Sequence, residues 1–349
     1  MNLTPDKVAS PGAFRLALAF AVFVHHTTYF NVGMAAVLVF FILSGYWVAT
    51  MWNRVYSKTY AAYYTYMVSR VWRIVPVFAL CSLVSWALLA WRGDAPESAG
   101  SLVHQVFSNV LILGYNSLPF QANIPAWSLD MELQFYLIAP LIVFLFSKNV
   151  RVFFLFVAIS LVAQRYGAST TVAPFLYLFG IGVASAAADL KPGRNLAYVS
   201  LYATAGVLFV GALLLVKDVA LGEKQGADLV AFGNTMNIVI AVLLIPWALY
   251  TVRQRTGPTD RMLGDLSYIF YLLHWSVLGA MKTGEGSYFE RFVLCSEALV
   301  LILVASYAIW RYFDHPISKM RSAWVAKRLT PDEAEVEAPE EPPGLVRVA

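Results

Sequence analysis

The segment FRLALAFAVFVHH sets Arg15 eleven residues before His26 on an otherwise apolar run. Helical periodicity puts the two within about 20° of each other around the axis and about 16 Å apart along it. One helix face then carries a guanidinium near one membrane surface and an imidazole near mid-membrane. Imidazole is the side chain best suited to taking a proton near neutral pH. His25 is turned by about 100° from His26, toward a neighbouring helix or the bundle edge. Ionisable groups inside apolar spans are costly, so His26 is a candidate base unless a neighbouring helix simply satisfies it by a hydrogen bond.

Four further segments could carry or support chemistry. In SRVWRIVP, Arg70 and Arg73 share a helix face at the end of a span. Two guanidiniums there can grip a phosphate, or can only snorkel and set topology. In WSLDMELQFY, Asp130 and Glu132 stand near the start of a span, and Glu132 faces Tyr136 one turn on. Glu132 can orient a histidine or accept a hydrogen bond from a sugar hydroxyl, whereas Asp130 fits a helix N-terminus. In LSYIFYLLHW, His274 lies inside a span with Tyr268 and Tyr271 beside it; it either lines an acceptor path or bonds structurally. VFFILSGYW, with Ser44 and Gly45, reads as a helix-packing element.

These groups need a membrane bundle to position them. Of the 349 residues, 59% are hydrophobic and only 13% charged, too apolar for a soluble domain. Ten spans are expected, at Phe14–Tyr29, Val32–Met51, Ile74–Trp91, Trp127–Phe146, Val152–Gln164, Val172–Ala188, Leu196–Val216, Leu229–Val252, Leu263–Met281 and Phe292–Trp310. Most are long enough to cross about 30 Å of hydrocarbon. Leu102–Tyr115 is too short to span, and reads as re-entrant or interfacial. The fold class is therefore all-α, a polytopic bundle with both termini in the cytoplasm. In that orientation nineteen of the 25 Lys and Arg residues lie inside and six outside. No cleavable leader pattern and no internal repeat is evident. Residues 1–328 form one membrane domain, and 329–349, acidic and proline-rich, read as a disordered cytoplasmic tail. The longest outer loop, Ala95–Ala126, carries Asn116, Gln121 and Asn123, which either bind sugar or serve an ordinary connector. Cys81 and Cys295 both fall in apolar spans, which argues against a disulfide or a cysteine nucleophile. No metal-ligand spacing appears.

Taken together, the segments resemble the membrane acyltransferase-3 family from about Phe14 to Ile317. Its arginine–ten residues–histidine opening is matched by Arg15 and His26, and its FF-x-L-S-G element by Phe40, Phe41, Leu43, Ser44 and Gly45. R-x-x-R-x-x-P is matched by Arg70, Arg73 and Pro76. W-S-L-x-x-E-x-Q-F-Y is matched by Trp127, Ser128, Leu129, Glu132, Gln134, Phe135 and Tyr136. S-Y-x-x-Y-L-x-H is matched by Ser267, Tyr268, Tyr271, Leu272 and His274. Two features depart from many relatives: Leu38 and Val39 precede the phenylalanine pair, and Asp314, His315 and Pro316 replace a closing E-[RK]-P. The chain leaves no room for the fused hydrolase-like domain that some relatives carry.

The resemblance implies transfer of an acetyl or related acyl group from acyl-coenzyme A to a hydroxyl of a carbohydrate or lipid-linked glycan. His26 is the expected base, with Glu132 as its partner; Arg15, Arg70 and Arg73 are expected to hold acetyl-CoA, a donor substrate and not a resident cofactor. Trp127, Tyr136 and His274 are expected on the acceptor side. Membrane lipid and polysaccharide-assembly proteins are the expected partners, nucleic acid is not, and the expected location is the inner (plasma) membrane. Alternatives are a transporter or flippase of a lipid-linked glycan, a subunit relaying acyl groups to a separate transferase, and, within the enzyme class, a succinyltransferase.

Overall fold

The computed structural model describes residues 9–28, 30–96, 100–221 and 227–330, with the side chains of 216–221 and 227–232 left aside. These residues form twelve α-helices: α1 Pro11–Thr27, α2 Gly33–Arg54, α3 Ala62–Arg92, α4 Leu102–Leu111, α5 Trp127–Lys148, α6 Val152–Arg165, α7 Leu176–Ala187, α8 Arg194–Leu221, α9 Ala227–Thr251, α10 Pro258–Ala280, α11 Tyr288–Ile309 and α12 His315–Ala326. Among the described residues there is no strand, and Thr59 and Leu329 make an isolated bridge.

Every expected span falls on a helix, yet among the described residues only six helical segments are long and apolar enough to cross a membrane. They are the segments holding α2, α3, α5, α8 and α9, and the run from α11 through α12. The remaining four expected spans fall short for local reasons. α1, α6 and α7 have 17, 14 and 12 residues. α10 has 23 but begins with the charged run Asp260, Arg261 and Asp265.

Close backbone approach fixes the helices around the centre. α2 crosses α7 where a Cβ on Gly45 would lie 2.2 Å from the Phe179 carbonyl oxygen, and one on Gly182 would lie 2.0 Å from that of Ile42. Only glycine permits such a crossing, the packing logic of membrane helices. α1 lies along α10. The Asp260 carboxylate accepts from the amides of Gly12 and Ala13 at 2.8 and 3.0 Å, and also from the Ser10 hydroxyl. One helix start thus caps another, satisfying amides that α1 itself leaves unpaired.

α4 is amphipathic the wrong way round for a soluble protein. Gln105, Ser108 and Asn109 face inward, and Asn109 accepts from Ser82 and from the Trp86 indole. Leu102 and Val103 are 77% and 78% exposed, with Val106, Phe107 and Val110 also outward. An outward apolar face on a ten-residue helix suits contact with acyl chains without a crossing. The amides of the neighbouring loop are largely spent on the fold. Asn116 donates to the Ser169 carbonyl and Asn123 to that of Leu272, each at 2.7 Å, and Gln121 donates to Tyr115.

The chain continues past the last expected span. A five-residue π turn, Trp310–Asp314, leads into α12, which packs on α3. Beyond it Arg328 donates to Thr65 at 2.9 Å and stacks over Trp324 and Tyr64. The expected acidic tail, apart from 329 and 330, lies outside the described residues.

Candidate active site

A single cleft joins most of the residues singled out above. It encloses about 1460 Å³, its open mouth included, among α1, α2, α3, α5 and α10. At the basic end of the bundle it is bounded by Pro11, Gly12, Thr256 and Asp260; at the other end it is bounded by Val37, Phe40, Ser128 and Tyr271. From Asp260 to Tyr271 along α10 is about 16 Å.

Four arginines line it, and their surroundings differ. Arg73 is committed to carboxylates, 2.7 Å from Asp265 Oδ1 and 3.7 Å from Asp314 Oδ2. Arg70, three residues earlier, has no ion pair among the described residues; the rings of Tyr56, Tyr66 and Tyr136 surround its guanidinium at 5.4, 5.7 and 5.6 Å. Its Nε and Nη2 are buried without a hydrogen-bond partner. Tyrosine faces stabilise a cation without neutralising it. Arg15, with Gly264 packed close to it, and Arg261 also line the cleft and make no ion pair among the described residues. The cleft therefore holds three cations free to meet an anion and one already paired. Arg261 entered the sequence reading only as a topology charge; its place in the first turn of a helix beside two aspartates was the available signal.

WSLDMELQFY divides its polar residues between two faces. Asp130 is fully buried and accepts from the amides of Gly114 and Asn116 and from Gln134. Gln134 in turn bonds Thr170 and Val172. These two hold the outer loops to α5. Glu132 and Tyr136 face the cleft instead. Glu132 Oε1 accepts from Ser44 Oγ at 2.6 Å and from the Tyr136 hydroxyl at 2.5 Å. The serine of FFILSG is thus a polar contact, not packing alone. Among the described residues Glu132 makes no hydrogen bond to His26. Trp127 packs with Phe41 and Phe175, outside the cleft lining.

The histidines form a second cluster one turn beyond the cleft. His26 stacks on His274 with ring centres 5.3 Å apart and meets Trp275 edge-on at 5.0 Å. His25 turns to α2, where Gly33 leaves room for it. His274 is fully buried, and its Nδ1 lies 2.7 Å from the Tyr271 carbonyl oxygen. A carbonyl only accepts, so Nδ1 carries a proton, and in the neutral ring Nε2 keeps the lone pair. That Nε2 has no partner. Tyr271 is the floor between the two regions: its ring is 5.8 Å from His274 on one side, and it lines the cleft on the other.

Comparison with known proteins fixes what kind of machinery this is. The acyltransferase domain of the acyltransferase-3 family matches residues 8–311. The chain belongs to this family. Acyltransferase MdmB of Streptomyces mycarofaciens is 28% identical over 360 aligned positions, covering 90% of this chain and 88% of that protein. No solved structure matches the chain significantly. The family match runs from before α1 into the π turn, so it takes in the cleft and the histidine cluster whole. Its apolar helices make this acyltransferase a membrane protein.

Proposed function

We propose that the protein is a membrane O-acyltransferase that moves an acetyl or related acyl group from acyl-coenzyme A to a hydroxyl of a carbohydrate or lipid-linked glycan. The observation that carries this reading is the cleft itself. Its basic end offers Arg15, Arg70 and Arg261 without ion pairs among the described residues, and its far end is lined by apolar and aromatic groups and closed by Tyr271 beneath an imidazole pair. Free guanidiniums suit the phosphates of the donor. A cleft running about 16 Å along α10 from Asp260 to Tyr271 suits an extended arm ending in a thioester. In this reading the donor enters from the cytoplasm, the basic end, and the acceptor approaches from the histidine side at the inner membrane.

His26 takes the acceptor hydroxyl's proton as the oxygen attacks the thioester carbonyl. The carbon–sulfur bond breaks, the coenzyme leaves as its thiolate, and the imidazolium returns the proton to it. His274, with its tautomer fixed by the Tyr271 carbonyl, holds the His26 ring by stacking. Glu132 shapes the cleft through Ser44 and Tyr136. Arg73 organises α3 against α10.

The test has two arms. Calorimetric titration of coenzyme A into the purified full chain should show binding that weakens about tenfold or more in Arg261→Ala, the loss of a charged hydrogen bond. Mass spectrometry of surface glycans from cells with and without the protein should show an acyl group that depends on it. No coenzyme A binding and no change in any glycan would remove the proposal.

A further inference from the structure

The two phenylalanines of VFFILSGYW have unlike surroundings. Phe41 is 3% exposed and stacks on Phe179 at 4.7 Å, with Phe175 and Trp127 around it. Phe40 is half-buried and stands at the far end of the cleft, edge-on to Tyr271 at 6.5 Å. Tyr271 is held firmly, because its hydroxyl lies 2.9 Å from Ser128 Oγ and 2.7 Å from the Pro125 carbonyl oxygen. Phe40 has no comparable tether. Of the pair that closes the cleft, it is the member whose removal opens space.

The charges near that end are equally uneven. Val37, Phe40, Leu129 and Tyr271 line it without a cation. The charged lining residue next below on α5 is Glu132, one turn from Ser128. The arginines lie lower, on the first turns of α1 and α10 and on α3 beside Tyr136.

We infer that Phe40 is the end wall of the acyl site and limits the donor to a short, uncharged acyl group. This rests on the acyl-coenzyme A reading above and deepens it. A thioester arriving along the cleft brings its carbonyl to the level of Tyr271, and the acyl carbons beyond meet the Phe40 ring. Each added methylene must then displace a packed ring. A terminal carboxylate, as on a succinyl group, is carried into the uncharged lining of Val37, Phe40, Leu129 and Tyr271 with no cation to pair it and Glu132 as the nearest charge below, so it is buried at a cost.

The experiment is equilibrium titration of the full chain in lipid nanodiscs with coenzyme A, acetyl-CoA, butyryl-CoA and succinyl-CoA. The wild-type protein should bind acetyl-CoA at least about tenfold tighter than butyryl-CoA, the scale on which apolar pockets discriminate misfits of a methylene or two. It should also bind acetyl-CoA at least about tenfold tighter than succinyl-CoA, a difference of about 1.4 kcal/mol. Phe40→Ala should bring the acetyl-to-butyryl ratio to within about twofold, the cost of the misfit having gone. The succinyl discrimination should persist, since neither Glu132 nor the missing cation has changed. Phe40→Leu should shift the ratio in the same direction by less, and it serves if the alanine variant does not elute as a folded species. A wild-type acetyl-to-butyryl ratio in Phe40→Leu or Phe40→Ala, or equal wild-type binding of all three thioesters, would overturn the end wall. Failure of coenzyme A itself to bind would overturn the donor reading instead.

Discussion

At the scale of single residues, His25 and His26 pose the sharpest question. They are adjacent and chemically identical, and only orientation separates them. His26 stacks on His274 and touches Trp275, whereas His25 is turned to Gly33 of α2. His26→Ala should therefore abolish acyl transfer by the purified protein while coenzyme A binding persists, and His25→Ala should keep substantial activity. A reversed pattern would mean that α1 presents the wrong face to α10 and would withdraw the role of His26. The two arginines of SRVWRIVP should separate by a different readout. Arg73→Ala removes the ion-pair partner of the mostly buried Asp265 and one of the cations beside Asp314, and should cost about 3–5 kcal/mol of stability, seen as a fall in melting temperature. Arg70→Ala strands no carboxylate, so its main effect should be weaker coenzyme A binding; equal melting temperatures for the two variants would contradict this division. The sequence made both arginines legible as a pair on one helix face. It could not separate them, because the carboxylates of Arg73 come from α10 and the π turn, and the tyrosines around Arg70 come partly from α5. Glu132 was legible for the same reason that its partner was not: its depth in a span marked it, while Ser44, 88 residues away, was visible only as a packing serine.

At the scale of elements, the apolar blocks announced the helices because each is a run of apolar residues with few or no charges, set off by polar turns. What they do not announce is how far each helix reaches. α1, α6 and α7 are short, and α10 spends its first turns on charged residues that line the cleft. Hydropathy alone cannot tell such a helix from a crossing one. α12 lies past Trp310, where the last expected span ends; Pro316 stands at its N-terminus, a position that a helix start tolerates. The α2–α7 crossing carries its own prediction. A methyl group at Gly182 would sit on the Ile42 carbonyl oxygen, backbone that cannot move without shifting the whole helix. Gly182→Ala should cost about 1–3 kcal/mol, typical of overpacking, and lower the melting temperature of the purified protein. Gly206→Ala, with nothing within 4 Å of the added carbon, should leave it nearly unchanged. Equal effects of the two would show that the crossing is looser than the geometry requires.

At the scale of the whole molecule, the distribution of charge and the cleft make one claim about direction. The arginines of the cleft sit at the same end of the bundle as the starts of α1 and α10 and the end of α2. Acyl-coenzyme A is made and kept in the cytoplasm, so the donor reading requires that end to face inward. The surplus of Lys and Arg in the loops at that end points the same way, through the ordinary bias of insertion. The turn between α10 and α11 then faces outward, and the loop between α9 and α10 faces inward. Both offer exposed positions, Glu285 in the first and Arg255 in the second. The native thiols interfere little, since Cys81 is buried in α3 and Cys295 lies within the apolar α11. In intact cells Glu285→Cys should react with a membrane-impermeant thiol reagent, and Arg255→Cys should react only after the membrane is permeabilised. The opposite labelling would turn the arginine-lined mouth away from the cytoplasm, and with it would go the donor side, the path of the thioester and the approach of the acceptor to His26.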